Sequence, residues 1–475
     1  MPTKYRSFFQ PEGGWLGDVI PWSEGDELRL YYLFEERISP KPGMPWHLVT
    51  TTDIANLVDH GEVFPSGGAD AVDFNIYTGS IAEHADGTRY LFYTGQNPET
   101  RGADGQPLQL VMQAVSTDAG VTWTRQPELA FGAPQGYETA DWRDPFVFFD
   151  AEAGLWRMLI AARHDSGPER RRGVIAQHTS TDLEHWEPAD PFWDPRRYIT
   201  HECPEVFKIG DWWYLVFSEF SESFQTRYRM SRSASGPWLT PDHDTLDGRA
   251  YYAAKSADFH GRRLLFGWIA SRADSHDDGD WQWAGTLSIN EAVQNRDGTL
   301  GFRIPQERLD LFSQRVDPGI ESGPIASTGY EARVSDQDLP EGFHAHLEFA
   351  ISAGTTEAGV LLRTSPDGDT GYIIRLEPKR SRLVFDRWPR RRTGDAQWQV
   401  SGDIPFEIKL ERPCDLGPGP HTLDLLVEGD LCVVDLDQQV TLSTRIYDHS
   451  SGRLGVFAGE GSMTIHSLEI STTHK

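Results

Sequence analysis

Three carboxyl-bearing residues stand out by their neighbours. Asp18 closes the run Trp15-Leu16-Gly17-Asp18, Asp144 lies in Arg143-Asp144-Pro145, and Glu202 lies in His201-Glu202-Cys203-Pro204-Glu205. The last two sit directly ahead of apolar runs, Phe146-Val147-Phe148-Phe149 and Val206-Phe207. Two carboxyl groups flanking a glycosidic bond are the minimal equipment for sugar transfer: one attacks or stabilises the anomeric carbon, and the other protonates the departing oxygen. The proton donor needs a raised pKa, which burial or a nearby carboxylate supplies. Glu202, beside Cys203 and close to Glu205, fits that need. Arg143 next to Asp144 offers the opposite environment, a cation that keeps a carboxylate ionised and hydrogen-bonds sugar hydroxyls. Each acid alone is one of 72 in the chain and has an ordinary structural reading. As a trio, each opening a different strand, they point to one site.

The elements that must position them read as strands. Helical periodicity is almost absent, while β-branched and aromatic runs recur at 28–34, 90–93, 145–149 and 212–217, bounded by turn formers. A Ser/Thr-Thr-Asp pattern repeats, with Asp53, Asp118 and Asp182 spaced 65 and 64 residues apart. The second and third copies lead to Trp123 and Trp186, and a looser fourth copy ends at Trp238. A period near sixty, with about four strands per unit, is the signature of a β-propeller of about five blades over residues 1–310. Segment 311–335 is mixed and polar and reads as a linker. Strict alternation then appears, as in Phe343, Ala345, Leu347, Phe349 and Ile351, and again at Phe406, Ile408 and Leu410. Period two with one apolar face predicts a β-sandwich over 336–475. The fold class expected is therefore all-β, a five-bladed propeller followed by a sandwich.

Composition excludes several functions. The 44 Lys and Arg against 72 Asp and Glu give a net charge of −28, which argues against nucleic-acid and anionic-membrane partners. Apolar runs stay far below the ~20 residues that span a bilayer, and the first twenty residues lack the apolar core of a signal peptide, so a cytoplasmic protein is expected. Cys203, Cys414 and Cys432 form neither a disulfide framework nor a zinc spacing. Asp274–Gly279 resembles the start of a calcium loop, but its twelfth position is Gly285 rather than Glu. No metal and no cofactor are expected. The basic cluster Lys379, Arg380, Arg387, Arg390, Arg391 and Arg392 reads as a solvated face. The expected partner is a small carbohydrate, and the oligomeric state is open. Trp22, Trp268 and Trp283 could serve as apolar platforms for a sugar, with core packing the competing reading.

At these residues the chain resembles glycoside hydrolase family 32, the invertases, inulinases, levanases and fructan exohydrolases. Trp15-Leu16-Gly17-Asp18 is similar to the family's W-M-N-D, Arg143-Asp144-Pro145 to its R-D-P, and Glu202-Cys203 to its E-C. Tyr77-Thr78-Gly79-Ser80, Leu91-Phe92-Tyr93-Thr94-Gly95 and Trp283-Ala284-Gly285 resemble further markers in the family's order. The resemblance implies a retaining glycosidase acting on β-fructofuranosides, with Asp18 as nucleophile, Asp144 as transition-state stabiliser and Glu202 as general acid/base. It implies sugar contacts from Trp15, Trp22, Tyr77, Ser80, Arg143, Cys203 and Trp283. A retaining reaction sets the Asp18 and Glu202 carboxyls roughly 5–5.5 Å apart. The chain departs from the family where N-D-P-N-G becomes Gly17-Asp18-Val19-Ile20-Pro21, and where the family's F-Y-Q becomes Tyr31-Tyr32-Leu33. These departures keep a fructosyltransferase, an arabinofuranosidase-type activity and a non-catalytic sugar-binding protein open as alternatives.

Overall fold

A computed structural model describes residues 4–103, 105–390 and 408–473. Nearly all regular structure is strand. The first meander comprises β1 (Trp15–Glu24), β2 (Glu27–Glu35), β3 (Trp46–Thr51) and β4 (Val58–Phe64). The second holds β5 (Asn75–Glu83), β6 (Arg89–Arg101), β7 (Pro107–Ser116) and β8 (Thr124–Arg125), and the third β9 (Tyr137–Asp150), β10 (Leu155–His164), β11 (Gly173–Ser180) and β12 (Glu187–Trp193). A fourth is three-stranded, β13 (Glu202–Ile209), β14 (Trp212–Glu219) and β15 (Gln225–Ser231). The fifth runs β16 (Tyr251–Phe259), β17 (Arg262–Arg272), β18 (Trp281–Gln294) and β19 (Leu300–Arg303).

The middle strands of the meanders bury both faces against neighbouring meanders, which is why they read as continuous apolar runs rather than alternations. Tyr31, Leu33 and Trp46 of the first pack on Ile76, Leu91 and Tyr93 of the second. Phe92 and Val111 then pack on Trp142, Met158 and Ile160 of the third, and Leu159 and Ile175 on Val206, Leu215 and Phe217 of the fourth. The order closes on itself: Leu16, Val19 and Tyr32 share a core with Tyr252, Phe266 and Trp268 of the fifth meander. The first strands of the five meanders, β1, β5, β9, β13 and β16, touch one another in the same cyclic order. Pairing of Leu16 with Gly285 ties the first and last meanders into one sheet.

The repeated Asp residues occupy equivalent turns. Asp53, Asp118 and Asp182 each lie between the third and fourth strands of their meander, where a carboxyl oxygen accepts backbone N–H bonds from Asn56, Thr122 and His185 respectively. These are Asx-type turns, so the repeat records a local hydrogen-bond need at one recurring corner.

The remaining strands are β20 (Gln314–Val316), β21 (Gly323–Val334), β22 (Gly342–Ile351), β23 (Glu357–Thr364), β24 (Gly371–Glu377), β25 (Arg382–Trp388), β26 (Leu410–Pro413), β27 (Gly419–Glu428), β28 (Leu431–Leu436), β29 (Val440–Arg445) and β30 (Arg453–Thr472). They form one nearly closed 11-stranded sandwich sheet. Its hinge is the long β30, whose residues 453–459 pair with β23 and whose residues 463–471 pair with β22. The segment expected to be a linker carries β20 and β21, both paired with β30. Phe406, Arg391 and Arg392 lie outside the described residues. The basic cluster divides: Lys379 and Arg380 are exposed, whereas Arg387 and Arg390 are buried, Arg387 against Asp278 and Asp448 and Arg390 against Asp386. Arg387 thus ties the sandwich to the loop that resembled a calcium site, which corrects the expectation of a solvated face. Among the described residues no helix is long and apolar enough to cross a membrane.

Candidate active site

The five inner strands share a local irregularity at one level. The ladder slips between Leu16 and Val19 on β1, between Tyr77 and Gly79 on β5, between Arg143 and Phe146 on β9, between Glu202 and Glu205 on β13, and between Tyr252 and Lys255 on β16. A bulge bends its strand and re-aims the side chain it carries. Asp144, Cys203 and Ala253 accordingly hold φ of 58°, 49° and 52°, values that non-glycine residues rarely adopt. At Gly79 a Cβ would stand 1.9 Å from the Phe92 carbonyl oxygen, so glycine alone fits that bulge. Four of these strands, β1, β5, β9 and β13, bring polar side chains to a cavity of about 850 Å³, and Tyr252 of the fifth reaches Glu202 at its wall.

Asp18, Asp144 and Glu202 all line this cavity. Asp18 is held on both oxygens: Thr78 Oγ1 donates to Oδ2 at 2.5 Å, Trp268 Nε1 donates to Oδ1 at 3.0 Å, and the Cys203 thiol lies 3.6 Å from Oδ2. Asp144 accepts the Cys203 backbone N–H at Oδ2 over 2.9 Å, while its own N–H donates to Thr94 Oγ1 at 2.8 Å. Glu202 accepts from the Tyr252 hydroxyl at Oε2 over 2.6 Å and from Arg143 Nη2 at Oε1 over 3.1 Å. Cys203 therefore spans two of the acids, its N–H on Asp144 and its thiol toward Asp18.

Arg143 is placed differently from its sequence neighbourhood. Its nearest charged partners are Asp141 and Glu202, whereas its Nε stands 3.9 Å from Asp144. Arg143 thus acts on Asp144 through its charge, which opposes the rise in that carboxyl, while its direct contacts go to Asp141 and Glu202. The bulge turns Asp144 toward the Cys203 N–H and swings the guanidinium toward β13.

Burial raises the carboxyls of Asp18, Asp144 and Glu202 above their ordinary range. Thr78 and Trp268 oppose that rise at Asp18, and Arg143 opposes it at Asp144 and Glu202. Tyr252, buried against Glu202, is pushed well above the usual phenol range and stays a proton donor. The imidazole of His201 is lowered to about 3 by burial, sits among Trp193, Tyr198 and Phe217, and is neutral. It does not reach the cavity lining.

Of the residues expected to contact sugar, Tyr77, Arg143 and Trp283 line the cavity. Trp15, Trp22, Ser80 and Cys203 do not. Trp15 stacks under the Arg37 guanidinium, which lies 4.4 Å from its ring. Trp22 packs in the core between the first two meanders. Ser80 is buried, donating to the Pro145 carbonyl and accepting from the Val147 N–H, so it braces the backbone next to Asp144. Trp268 is buried, yet touches Asp18 through its indole N–H. The sequence alone did not bring forward Thr78 and Tyr252, which hold the two acids, or Gln109, Asp141, Glu35, Arg37, Lys41 and Gln282 along the wall. Thr78 lies inside the run Tyr77-Thr78-Gly79-Ser80, whose resemblance to the family could have marked it; no motif marks Tyr252.

The model of the glycosyl hydrolases family 32 N-terminal domain matches residues 8–302. The sucrose-6-phosphate hydrolase of Bacillus subtilis (strain 168) is 30% identical over 384 residues, covering 74% of this chain and 75% of that enzyme. The raffinose invertase of Escherichia coli is 26% identical over 95% of this chain and 91% of its own. The crystal structure of fructan 1-exohydrolase IIa from Cichorium intybus superposes with a TM-score of 0.77 at 17% identity, over 100% of this chain and 98% of that one.

Proposed function

The chain belongs to glycosyl hydrolase family 32 and is a glycoside hydrolase that cleaves β-fructofuranosides, and we propose that Asp18, Asp144 and Glu202 carry out the reaction with retention of configuration. The reading is carried by one observation, the convergence of these three acids on a single cavity. In it, Asp18 attacks the anomeric carbon as the glycosidic bond breaks, and the bonding electrons leave with the departing oxygen. Glu202 hands that oxygen its proton. A covalent glycosyl-enzyme results, and Glu202, now ionised, takes a proton from the water that displaces Asp18. The donors Thr78 and Trp268 favour the carboxylate form that Asp18 needs for attack. Asp144, held by the Cys203 N–H, presents its other oxygen to sugar hydroxyls.

Sucrose-type oligosaccharides with a terminal fructosyl unit are the proposed substrates, in keeping with the names of the relatives. The cyclic packing of five meanders supports reading residues 1–310 as a five-bladed propeller, joined through 311–335 to a sandwich at 336–475. Incubating the wild type, Asp18→Ala and Glu202→Gln with a panel of β-fructofuranosides tests the assignment. Fructose release by the wild type, falling by roughly 10⁴-fold or more in either variant, is expected on the scale of a lost nucleophile or acid. Undiminished turnover by Asp18→Ala would sink it.

A further inference from the structure

A second cluster of chemistry-bearing side chains lies outside the cavity lining, on the face of β22 and β27 opposite the sandwich core. β22 carries His344 and His346 two positions apart, so both imidazoles leave the same face of the sheet, opposite the core residues Phe343, Ala345 and Leu347. Asp424 on β27 is the direct cross-strand partner of His346. Both rings converge on one oxygen: His344 Nε2 lies 2.7 Å and His346 Nδ1 2.8 Å from Asp424 Oδ1. All three potential ligand atoms fall within 4.8 Å of one another.

The surroundings do not resemble those of a simple surface ion pair. Next in the same cross-strand row stands Asp435, paired with Asp424 across β28. Asp435 is 2% exposed, and one of its carboxyl oxygens has no hydrogen-bond partner. Two carboxyls on adjacent buried positions repel each other unless a proton or a cation stands between them. On the other side of the row His346 pairs with Glu469 of β30. The His344 and His346 side chains remain 16% and 34% exposed, so the cluster is reachable from solvent.

We propose that His344, His346 and Asp424 form a binding site for a divalent transition-metal ion of the zinc type. Two imidazole nitrogens and one carboxylate oxygen are a donor set that suits zinc, and they leave a fourth position for water. Ligand atoms around a tetrahedral zinc ion at ~2.0–2.1 Å stand about 3.3 Å apart. The two nitrogens stand 2.7 and 2.8 Å from the Asp424 oxygen, and all three atoms lie within 4.8 Å, which brackets that spacing. A metal at this point bridges β22 and β27, the two strands that carry its ligands, and binding it stabilises the folded sandwich by mass action.

Cobalt(II) and zinc(II) titrations of the full chain test the site. One equivalent of cobalt should bind with the visible absorption of a tetrahedral complex, and zinc should displace it and raise the melting temperature. The double variant His344→Ala/His346→Ala should lose the absorption and bind roughly tenfold or more weakly, on the scale a lost metal partner costs. His346→Gln, which keeps size and polarity, serves if the double variant does not fold and should show the same loss. Metal uptake by the wild type no greater than that of the folded variants overturns the proposal.

Discussion

Gly17 and Trp283 are in close contact: a Cβ on Gly17 would stand 2.5 Å from the indole ring. Trp283 lies 39% exposed on the cavity wall, beside Leu33. The same Cβ would stand 3.1 Å from the Leu33 Cβ, so Gly17 and Leu33, where the chain departs from the family's motifs, lie side by side at the wall. Gly17→Ala should push the indole aside and lower kcat/KM about 10- to 100-fold, the scale of a small misplacement at a reacting centre. Trp283→Ala should raise KM. The double variant should lose less than the sum of the two in free energy, because one contact is removed twice. Steady-state kinetics on the four proteins decide this.

The pH profile follows from the directions of the shifts. Asp18 must be ionised to attack, so activity falls as pH drops through its pKa. Burial raises that pKa above 3.8, and the acid limb moves up with it. Glu202 must be protonated to act as acid, so activity falls as pH rises through its pKa, which burial raises above 4.5. Tyr252 lowers the Glu202 pKa by donating to its charged form. Tyr252→Phe should therefore move the alkaline limb of kcat/KM to higher pH, because a hydrogen bond to the charged form is lost. Cys203→Ala removes a donor to Asp18 and should move the acid limb upward. Shifts in the opposite directions would contradict the roles assigned to the two acids.

How much of this was legible in the sequence depended on distance along the chain. Asp18, Asp144 and Glu202 could be read because each sits in a short motif at the edge of an apolar strand. Thr78 and Tyr252 could not, since they meet Asp18 and Glu202 across separations of 60 and 50 residues, and only the closure of the strand ring brings them together. Arg143 was assigned to its neighbour Asp144 for the same reason, while its partner Glu202 lies 59 residues away. Residues 323–334 read as a linker because β21 is largely exposed, which erases the alternation that marked β22. Ser80 and Cys203 were read as sugar contacts. Neither lies on the cavity wall: Ser80 braces the backbone beside Asp144, and the Cys203 N–H holds the Asp144 carboxylate.

Charge around the cavity sets a preference between substrates. Its wall carries five carboxyls, Asp18, Glu35, Asp141, Asp144 and Glu202, against three cations, Arg37, Lys41 and Arg143. The cations are engaged: Lys41 with Glu35, Arg143 with Asp141 and Glu202, and Arg37 with Gln282 and the Trp283 and Ala284 carbonyls. With Glu202 protonated as the acid, four carboxyls still face three cations, and a phosphate entering this surplus of negative charge meets an opposing interaction of about 1–2 kcal/mol. An uncharged β-fructofuranoside should therefore be cleaved with a kcat/KM at least about tenfold above that of its phosphorylated counterpart. Competition between the two substrates in one reaction measures the ratio directly.

Arg445 of β29 gives a test of how the sandwich is fastened to the rest of the chain. Its side chain is fully buried and donates to the Ala270 carbonyl at 3.0 Å, the Ile269 carbonyl at 3.2 Å and Thr286 Oγ1 at 2.6 Å. Its remaining arm reaches Asp430 of the sandwich at 2.7 Å. One guanidinium thus satisfies backbone carbonyls at the end of β17 while neutralising an acid on the far side. Arg445→Met keeps the length but strands both carbonyls and leaves Asp430 without this partner. Removing one member of a buried pair costs about 3–5 kcal/mol. The denaturation midpoint in urea should fall accordingly, and the acids around the active cavity should remain in place, so kcat at low temperature should change far less than stability. A midpoint within error of the wild type would mean that this guanidinium does not fasten the sandwich.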